Sequence, residues 1–398
     1  MIPLLAAALT LHEALRIFRE RGFDLLLAQE QVESAQGDLQ IAGAIPNPSI
    51  SGAFGKSQDY GPPAVSLGLS DQGAIFDVLV NKRGLRKDVA RAALDAARLS
   101  RSDAQRTLEF QLKQQYLQAA LAVEQARFAR ETLAATAQTR DLQQRRFSAG
   151  AISEADLARV EVAELEAEQQ LDQADAQLAQ AKAGVAFLLG MEQVDLDIGA
   201  LEYRPEPIDN FDDLEKTALQ NRPDLQALDR QVQRAESALE LAKRQVFPDV
   251  QLSANYAREG SGPTAVTPPT VTFGATFPLP IFDQQQGEIR KAESDLRVQS
   301  IQREKLKAQV ARDVSQAYSA WQGGQKQVER MRNRLLERAK TARDLVQIQY
   351  EKGASSLLEL LEAERTYIAA HAEYVQDLSL YWTAVAQLEQ AVGKELRQ

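Results

Sequence analysis

The chain has 398 residues, a net charge of −10 at pH 7 and no cysteine. The acidic balance disfavours a nucleic-acid-binding protein, which would carry a basic face. Without cysteine we expect no disulfide, no thiolate metal site and no acylated cysteine anchor. Charged residues make up 26% of the chain and aromatic residues only 6%, which is typical of long helices or coiled coils.

The first residues, from Met1 to Leu9, are apolar, but the run is short and no basic residue precedes it. This start fits either the tail of a signal peptide or an unstructured leader, and both alternatives stay open. No apolar run reaches the roughly 18 residues that a membrane-spanning helix needs. If the protein lies in a membrane, we therefore expect it to do so without helices.

The chain consists of two similar halves. Phe147, Gly150, Asp156 and Leu157 are matched 203 positions later by Tyr350, Gly353, Glu359 and Leu360. Farther upstream, Ile45-Pro46-Asn47 recurs as Phe247-Pro248-Asp249, and Ile75-Phe76-Asp77 recurs as Ile281-Phe282-Asp283. An internal repeat decides the architecture before any single residue does. The sequence predicts a first repeat at 9–200, a linker at 201–210 and a second repeat at 211–396, each with a helix, two short strands and two long helices.

The strands lie where prolines are frequent and apolar residues alternate with small polar ones. In the second half, Val250, Leu252, Ala254 and Tyr256 alternate with Gln251, Ser253 and Asn255. The pattern predicts strands at about 48–57, 65–80, 249–258 and 270–280. Loops rich in Gly and Pro, Gln58–Ala64 and Glu259–Pro269, join them into two hairpins.

Two interpretations of these four strands are open. They could form a small antiparallel sheet that caps a helical bundle, with one face on the core and one in water. They could also belong to a membrane barrel, in which the apolar face meets lipid and the polar face lines a lumen. Four strands cannot close a barrel, because the smallest membrane barrels need about eight. A barrel therefore requires an oligomer, and a trimer with twelve strands is the simplest solution.

Two stretches without proline predict the long helices. No proline occurs between Pro63 and Pro205 or after Pro280, and proline breaks helix interiors. The predicted helices span about 85–147, 154–189, 288–350 and 357–392, with turns at Gly150 and Gly353. The helix before each turn has about 60 residues, or about 90 Å at 1.5 Å per residue. That length exceeds what a globular domain needs.

The order of these motifs resembles the TolC-type outer-membrane factors of Gram-negative bacteria. The resemblance rests on Ile45-Pro46-Asn47-Pro48, Phe247-Pro248-Asp249, the stretch from Phe277 to Asp283 with Gly287-Glu288-Ile289, and the turns at Gly150 and Gly353. It covers about residues 9 to 396, and the stretch from Pro280 to Ile289 looks most like the heavy-metal cation-efflux branch. The resemblance implies a mainly α fold with a small antiparallel β part, assembled as a homotrimer. Twelve strands would form an outer-membrane β-barrel that a periplasmic α-helical barrel continues.

The function that the resemblance implies is an exit duct of a tripartite efflux or type I secretion system. Its partners would be a periplasmic adaptor and an inner-membrane pump of the RND type, with outer-membrane lipid around the barrel. The alternative is a periplasmic coiled-coil scaffold or adaptor without a pore. We expect no enzyme, cofactor or bound metal, because His12 and His371 are isolated and no nucleophilic arrangement occurs. We interpret His371 as a surface or packing residue.

Acidic residues near the turns are the candidate aperture. Ser356 with Glu359 has capping-box spacing, and Ser153 with Asp156 echoes it, so both acids could simply cap helices. The resemblance places Glu359 and Glu362 at a narrow periplasmic aperture, where a ring of carboxylates would favour cations. Asp156 and Arg159 are the corresponding residues of the first repeat. Arg145, Arg146 and Arg159 could pair with Glu359 or Glu362 or could remain solvated.

The turns themselves are the candidate adaptor contacts by the same resemblance. The predicted contact residues are Phe147, Gly150, Ala151 and Ile152 in the first turn and Tyr350, Gly353, Ala354 and Ser355 in the second. For Phe147 and Tyr350 the alternative is packing of the last helical turn.

Overall fold

We describe the protein from a computed structural model, which describes residues 9–56, 63–192, 196–199, 201–205, 208, 210–260 and 267–396. Most of the amino-terminal leader and of the two hairpin loops predicted above lies outside these residues. Among the helices of the described residues, none is both long and apolar enough to cross a membrane.

The two halves have matching elements in matching order. The first half contains α1 (Leu11–Arg21), α2 (Phe23–Gly43), β1 (Ser49–Gly55), β2 (Ala64–Ser70), α3 (Ala74–Leu79), α4 (Lys82–Ser148) and α5 (Glu154–Leu188). The second contains α6 (Phe211–Asn221), α7 (Pro223–Arg244), β3 (Gln251–Glu259), β4 (Thr267–Thr276), α8 (Gln286–Arg330), α9 (Glu337–Glu351) and α10 (Leu357–Val392). The predicted order of helix, two strands and two long helices is confirmed, with two helices rather than one before each strand pair.

Two local predictions were wrong. The strand expected to reach about residue 80 ends at Ser70, because Asp71 accepts hydrogen bonds from the N–H groups of Gly73 and Ile75 and helix α3 begins. Helix α3 places Asp77 against Arg86, with oxygen–nitrogen distances of 2.8 and 2.5 Å. The helix expected at about 288–350 is interrupted by a π-helical segment, Met331–Leu336. Such a segment changes the direction of the side chains that follow it.

The four strands form one antiparallel sheet in the order β1-β2-β3-β4. Its register places like residues beside each other across the strands. One row is Ser51, Gly68, Asn255 and Thr272, and the neighbouring row is Gly52, Leu67, Tyr256 and Val271. The sheet therefore has one small polar face and one apolar face, as the alternation predicted.

The apolar face of the sheet is exposed in the single chain. Ile50 and Phe273 are each 81% exposed, and Phe54 is 73% exposed. Soluble monomers seldom expose an apolar patch of this kind, so the face needs a lipid or protein neighbour.

The chain divides into two compact units, and each draws on both repeats. One consists of Gln29–Arg101 and Pro223–Lys307 and contains the sheet. In it, the buried Lys82 ammonium donates to the carbonyl of Phe247 and the carboxylate of Asp249, both at 2.7 Å, which ties the start of α4 to the approach to β3. The repeat bounds at 9–200 and 211–396 stay a sequence-based division.

The other unit consists of the chain up to Ala28, Ser102–Arg222 and Ala308–Gln398. Phe18, Leu112, Val185 and Leu189 are buried in one of its cores. A buried ion pair between Lys113 and Glu389, at 2.7 Å, joins α4 to α10. This unit contains both helical turns.

Candidate functional site: the two helical tips

Both tips end their first helix with the same backbone motif. In the first, Ala151 N–H donates to Arg146 O at 2.9 Å and Gly150 N–H donates to Phe147 O at 2.8 Å. In the second, Ala354 N–H donates to Gln349 O at 2.8 Å and Gly353 N–H donates to Tyr350 O at 3.0 Å. This pair of bonds is the Schellman motif, which satisfies the last carbonyls of a helix.

Glycine is required at both turns for its backbone conformation. Gly150 has φ +73° and Gly353 has φ +75°, in the left-handed region. A Cβ built at either position would meet no atom within 4 Å. The constraint is therefore conformational rather than steric. The predicted turns at Gly150 and Gly353 are confirmed.

The helices that follow the turns begin with side-chain caps. The Ser356 hydroxyl accepts from Glu359 N–H at 3.2 Å, and the Glu359 carboxylate accepts from Ser356 N–H at 2.8 Å, which completes a capping box. The hydroxyl of Ser355 also donates to Glu359, at 2.5 Å. These hydrogen bonds, that of Ser355 first, hold the pKa of Glu359 below its ordinary value.

The first tip has a simpler cap. The Ser153 hydroxyl accepts from Asp156 N–H at 3.2 Å and donates to the Asp156 carboxylate at 2.8 Å. The other carboxylate oxygen of Asp156 accepts from Arg159, at 3.1 Å. Asp156 is thus held by its own helix on both sides.

A small core joins the two tips inside the chain. Val160, Tyr350, Leu357 and Leu360 are buried together. The fully buried Gln143 donates through its amide to the phenolic oxygen of Tyr350, at 2.5 Å. The ring of Tyr350 therefore packs inside the tip, as the packing alternative had it.

The surface of the tips consists of the remaining predicted contact residues. Phe147 is 37% exposed. Gly150, Ala151, Gly353 and Ala354 are exposed as well, while Ile152 and Ser355 are half-buried. This surface is small, largely uncharged and repeated in the two hairpins.

The arginines of the first tip have other partners than those expected. Within the described part of one chain, none of Arg145, Arg146 and Arg159 pairs with Glu359 or Glu362. Arg159 pairs with Asp156 one turn away, and the guanidinium of Arg146 lies 5.0 Å from the ring centre of Tyr350. The expected closing ion pairs are therefore wrong within a single chain, because nearer partners occupy the side chains.

Glu362 is the acid of the second tip that is left without a structural role. It lies on the exposed face of α10, three residues after Glu359. In the described residues its carboxylate takes part in no hydrogen bond or ion pair, unlike that of Glu359. Its charge is therefore available to whatever passes the tip.

Sequence reasoning did not find an aromatic and charged layer farther along the hairpins. The ring of His371 stacks on Phe128 at 3.7 Å between centroids, which confirms His371 as a packing residue. The guanidinium of Arg343 lies 4.5 Å from the ring centre of Tyr367. Only the three-dimensional packing brings these residues together, so no local motif could have indicated them.

Glu364 belongs to the same layer. Its carboxyl group lines a cavity of about 220 Å³ together with Arg343 and Lys340. Burial raises the pKa of Glu364, and the positive charge of Arg343 partly opposes that shift. Within the described residues, no three His, Asp or Glu side chains lie close enough to hold a metal ion.

Comparison with known proteins agrees with this fold. The family model "Outer membrane efflux protein" matches residues 14–191 and 214–394, which correspond to the two repeats. The cobalt-zinc-cadmium resistance protein CzcC of Cupriavidus metallidurans is 24% identical over 98% of this chain and 91% of its own. The pyoverdine export outer membrane protein OpmQ of Pseudomonas aeruginosa is 26% identical over 93% of this chain and 81% of its own.

A solved structure has the same fold at low sequence identity. The outer membrane protein VceC of Vibrio cholerae superimposes with a TM-score of 0.80 at 18% identity, covering 97% of each chain. The family is one of channels, not of enzymes, and it gives no support to the coiled-coil scaffold alternative. The chain belongs to the outer membrane efflux protein family: it is an exit duct in the Gram-negative outer membrane that extends into the periplasm and works with an adaptor and an inner-membrane pump.

Proposed function

We propose that three copies of the chain form the duct, each copy contributing four strands to a twelve-stranded barrel. The observation that carries this proposal is the four-stranded sheet, whose two edges, β1 and β4, pair with no further strand among the described residues. Backbone groups at an open edge cannot be left unpaired in lipid, so the sheet must close with further strands. Closed rings of identical copies are the usual solution in soluble and membrane oligomers alike.

The two faces of the sheet support this arrangement. The apolar face, with Ile50, Phe54 and Phe273, would meet lipid. The row with Ser51, Asn255 and Thr272 carries no charge and would line a water-filled lumen. The repeats at 9–200 and 211–396 would then supply two strands and one helical hairpin each, which gives six hairpins in the trimer.

Adjacent residues of β4 offer a matched test of these faces. We expect Phe273→Arg to prevent assembly into outer membranes, because a charge on the lipid face costs about 2–4 kcal/mol at the midplane. Thr272→Arg, one residue away and on the other face, is expected to assemble normally. Outer-membrane fractions and the surface protease pattern report the outcome. Equal tolerance of both variants would contradict the lipid-facing assignment.

We place the aperture of the duct at the second tip. Threefold symmetry would bring Glu359 and Glu362 of each copy to one constriction, and carboxylates there favour cations over anions. Glu362 carries the larger share in this proposal, because the carboxylate of Glu359 is engaged in its capping box. Asp156 and Arg159 neutralise each other in the first tip, so that tip adds little net charge to the constriction.

We place the adaptor contact on the exposed turns. Phe147, Gly150, Ala151 and Ile152 form one patch, and Gly353, Ala354 and Ser355 form the matching one. Tyr350 supports the second patch from below, since its ring is buried. The near-identity of the two backbones would let one adaptor hairpin recognise both tips.

We propose divalent metal cations as the cargo and an RND-type pump as the energy source. The support is the likeness to CzcC over nearly the whole chain, together with the acidic second tip. The chain is expected to restore cobalt, zinc or cadmium resistance to a strain that has lost its own duct but keeps the adaptor and pump. A chain that restores only export of organic compounds would contradict the metal assignment and leave the duct assignment unchanged.

A further inference from the structure

Helix α5 carries a regular acidic stripe on its exposed side. The stripe comprises Glu154, Ala158, Glu161, Leu165, Glu168 and Asp172, separated by steps of four and three residues. All six are exposed, and Leu165 is 63% exposed. Alternating steps of four and three are the spacing of a coiled-coil seam. A seam that is open in the single chain indicates a missing neighbour.

A basic stripe with similar spacing runs along the π-helical segment and α9. The stripe comprises Arg334, Arg338, Thr341, Leu345 and Ile348, and Arg330 lies one step of four before it. All of them are exposed, with Leu345 at 55% and Ile348 at 48%. A π-turn takes more residues than an α-turn, so steps of four keep Arg330, Arg334 and Arg338 closer to one face.

The charges of both stripes lack partners in the described residues. No ion pair or hydrogen bond of the side chain is recorded there for Arg334, Arg338, Glu161, Glu168 or Asp172. Other charges of the same helices do pair: Arg140 contacts Glu164 at 3.0 Å, and Arg365 contacts Glu166 at 3.5 Å. The stripes are therefore a distinct set of charges on a chain whose net charge is −10.

Each stripe lies to one side of its helix's buried face. On α5 the buried positions Leu157, Val160 and Ala167 each precede a stripe residue by one. On α9 the buried Ala339 follows Arg338 by one. One residue is a rotation of about 100° on an α-helix, so neither stripe faces the partner helices within the chain.

The levels of the stripes along the hairpins can be compared through one contact. Phe128 lies 22 residues from Gly150, His371 lies 18 residues from Gly353, and their rings stack. Equal levels are therefore about four residues closer to the turn in the second hairpin. By that measure, Glu168, at 18 residues, is level with Arg338, at 15, and Asp172, at 22, is level with Arg334, at 19. Each match is within one residue, or about 1.5 Å.

We infer that the acidic stripe of one copy packs against the basic stripe of the next copy, with Glu168 beside Arg338 and Asp172 beside Arg334. This inference rests on the proposed ring of three copies. A rotation about an axis along the hairpins carries each side chain to its neighbour without changing its level, so only charges at equal levels can meet. The contact is heterologous, and such contacts close into a ring.

The charges set the register of this contact more than its strength. Exposed ion pairs contribute little individually, whereas charges of like sign placed opposite each other exclude wrong partners. The apolar contribution comes from Leu165 and Leu345, which lie in the same stripes. A shift of one copy along its neighbour would separate both ion pairs at once.

Cross-linking tests the faces directly, because the chain has no cysteine of its own. Glu168→Cys with Arg338→Cys in one chain, solubilised in detergent and treated with a short bismaleimide, is expected to give covalent dimers and trimers. The matched control is Glu168→Cys with Arg330→Cys, whose levels differ by about 13 Å. Native mass spectrometry before treatment records whether trimers are present.

Each outcome of this experiment has one meaning. Trimers that cross-link in the matched pair at least tenfold more than in the control support the stripe contact. Trimers without that difference overturn the contact and leave the trimer intact. A chain that is monomeric in the native spectrum overturns the trimer and this inference with it. As a second measurement, Glu168→Arg is expected to reduce the trimer fraction, and adding Arg338→Glu is expected to restore it.

Discussion

Gln143 and Tyr350 form a buried hydrogen bond that joins the two helical hairpins of one chain just before their tips. The amide nitrogen of Gln143 lies 2.5 Å from the phenolic oxygen of Tyr350. Gln143 is completely buried and Tyr350 is 7% exposed. The bond connects α4 of the first repeat to α9 of the second, so any separation of the hairpins at the tips must break it.

Removing the acceptor of this bond is expected to loosen the tips. Tyr350→Phe leaves the buried amide of Gln143 without its partner, which costs about 1–3 kcal/mol. We expect faster hydrogen exchange in both turns and a higher conductance of the resting channel in planar bilayers. Tyr374→Phe is the control, because Tyr374 makes no hydrogen bond in the described residues. Equal effects of both variants would show that the bond does not hold the tips.

Charge and capping at the second tip can be separated by two single substitutions. Glu362→Gln removes a free charge without touching the capping box, so we expect lower cation selectivity and unchanged stability. Ser356→Ala removes the cap and is expected to cost about 1 kcal/mol while leaving selectivity near that of the wild type. Single-channel reversal potentials and thermal unfolding measure the two effects. Loss of selectivity in Ser356→Ala alone would contradict the role given to Glu362.

The glycines of the turns are expected to be interchangeable in their effect. Alanine at Gly150 or Gly353 must adopt a left-handed conformation, which costs about 1 kcal/mol, and it meets no steric obstacle. We therefore expect a similar loss of stability for Gly150→Ala and Gly353→Ala, measured by hydrogen exchange at each tip. A much larger loss at one position would mean that the turn there contacts something besides its own backbone.

Stability is expected to depend on pH through Glu364. Burial raises the pKa of Glu364 in the folded protein, so its stabilising contribution is present below pH 4.5 and is lost as the pH rises through the folded pKa. Glu364→Gln should therefore have a higher unfolding temperature than the wild type at pH 8, and the difference should shrink towards pH 4. Glu362→Gln, on the exposed face, serves as the control with no such dependence. A difference that grows towards pH 4 would contradict the raised pKa.

The sequence predicted the order of the elements because each boundary has its own local chemistry. Gly150 and Gly353 provide the left-handed turn, and Ser153 and Ser356 start the following helices, so these ends were found within one or two residues. The two faces of the sheet followed from alternation alone. These features depend on residues close in the chain, which a single sequence displays.

The features that were missed depend on packing between distant residues. The hydrogen bond between Gln143 and Tyr350 and the stack of Phe128 on His371 join helices that no local pattern relates. The strand predicted to continue to about residue 80 failed because Asp71 captures backbone N–H groups and starts a helix. The arginine partners at the tip were wrong for a similar reason, since Asp156 lies closer to Arg159 than any acid of the second repeat.

The central claim is that three copies are needed to make the duct. Native mass spectrometry of the full chain, released from mild detergent, tests it most directly. We expect a single dominant species of about three times the chain mass of 43.9 kDa that persists when detergent is exchanged. A dominant monomer that still conducts ions after reconstitution would contradict the claim.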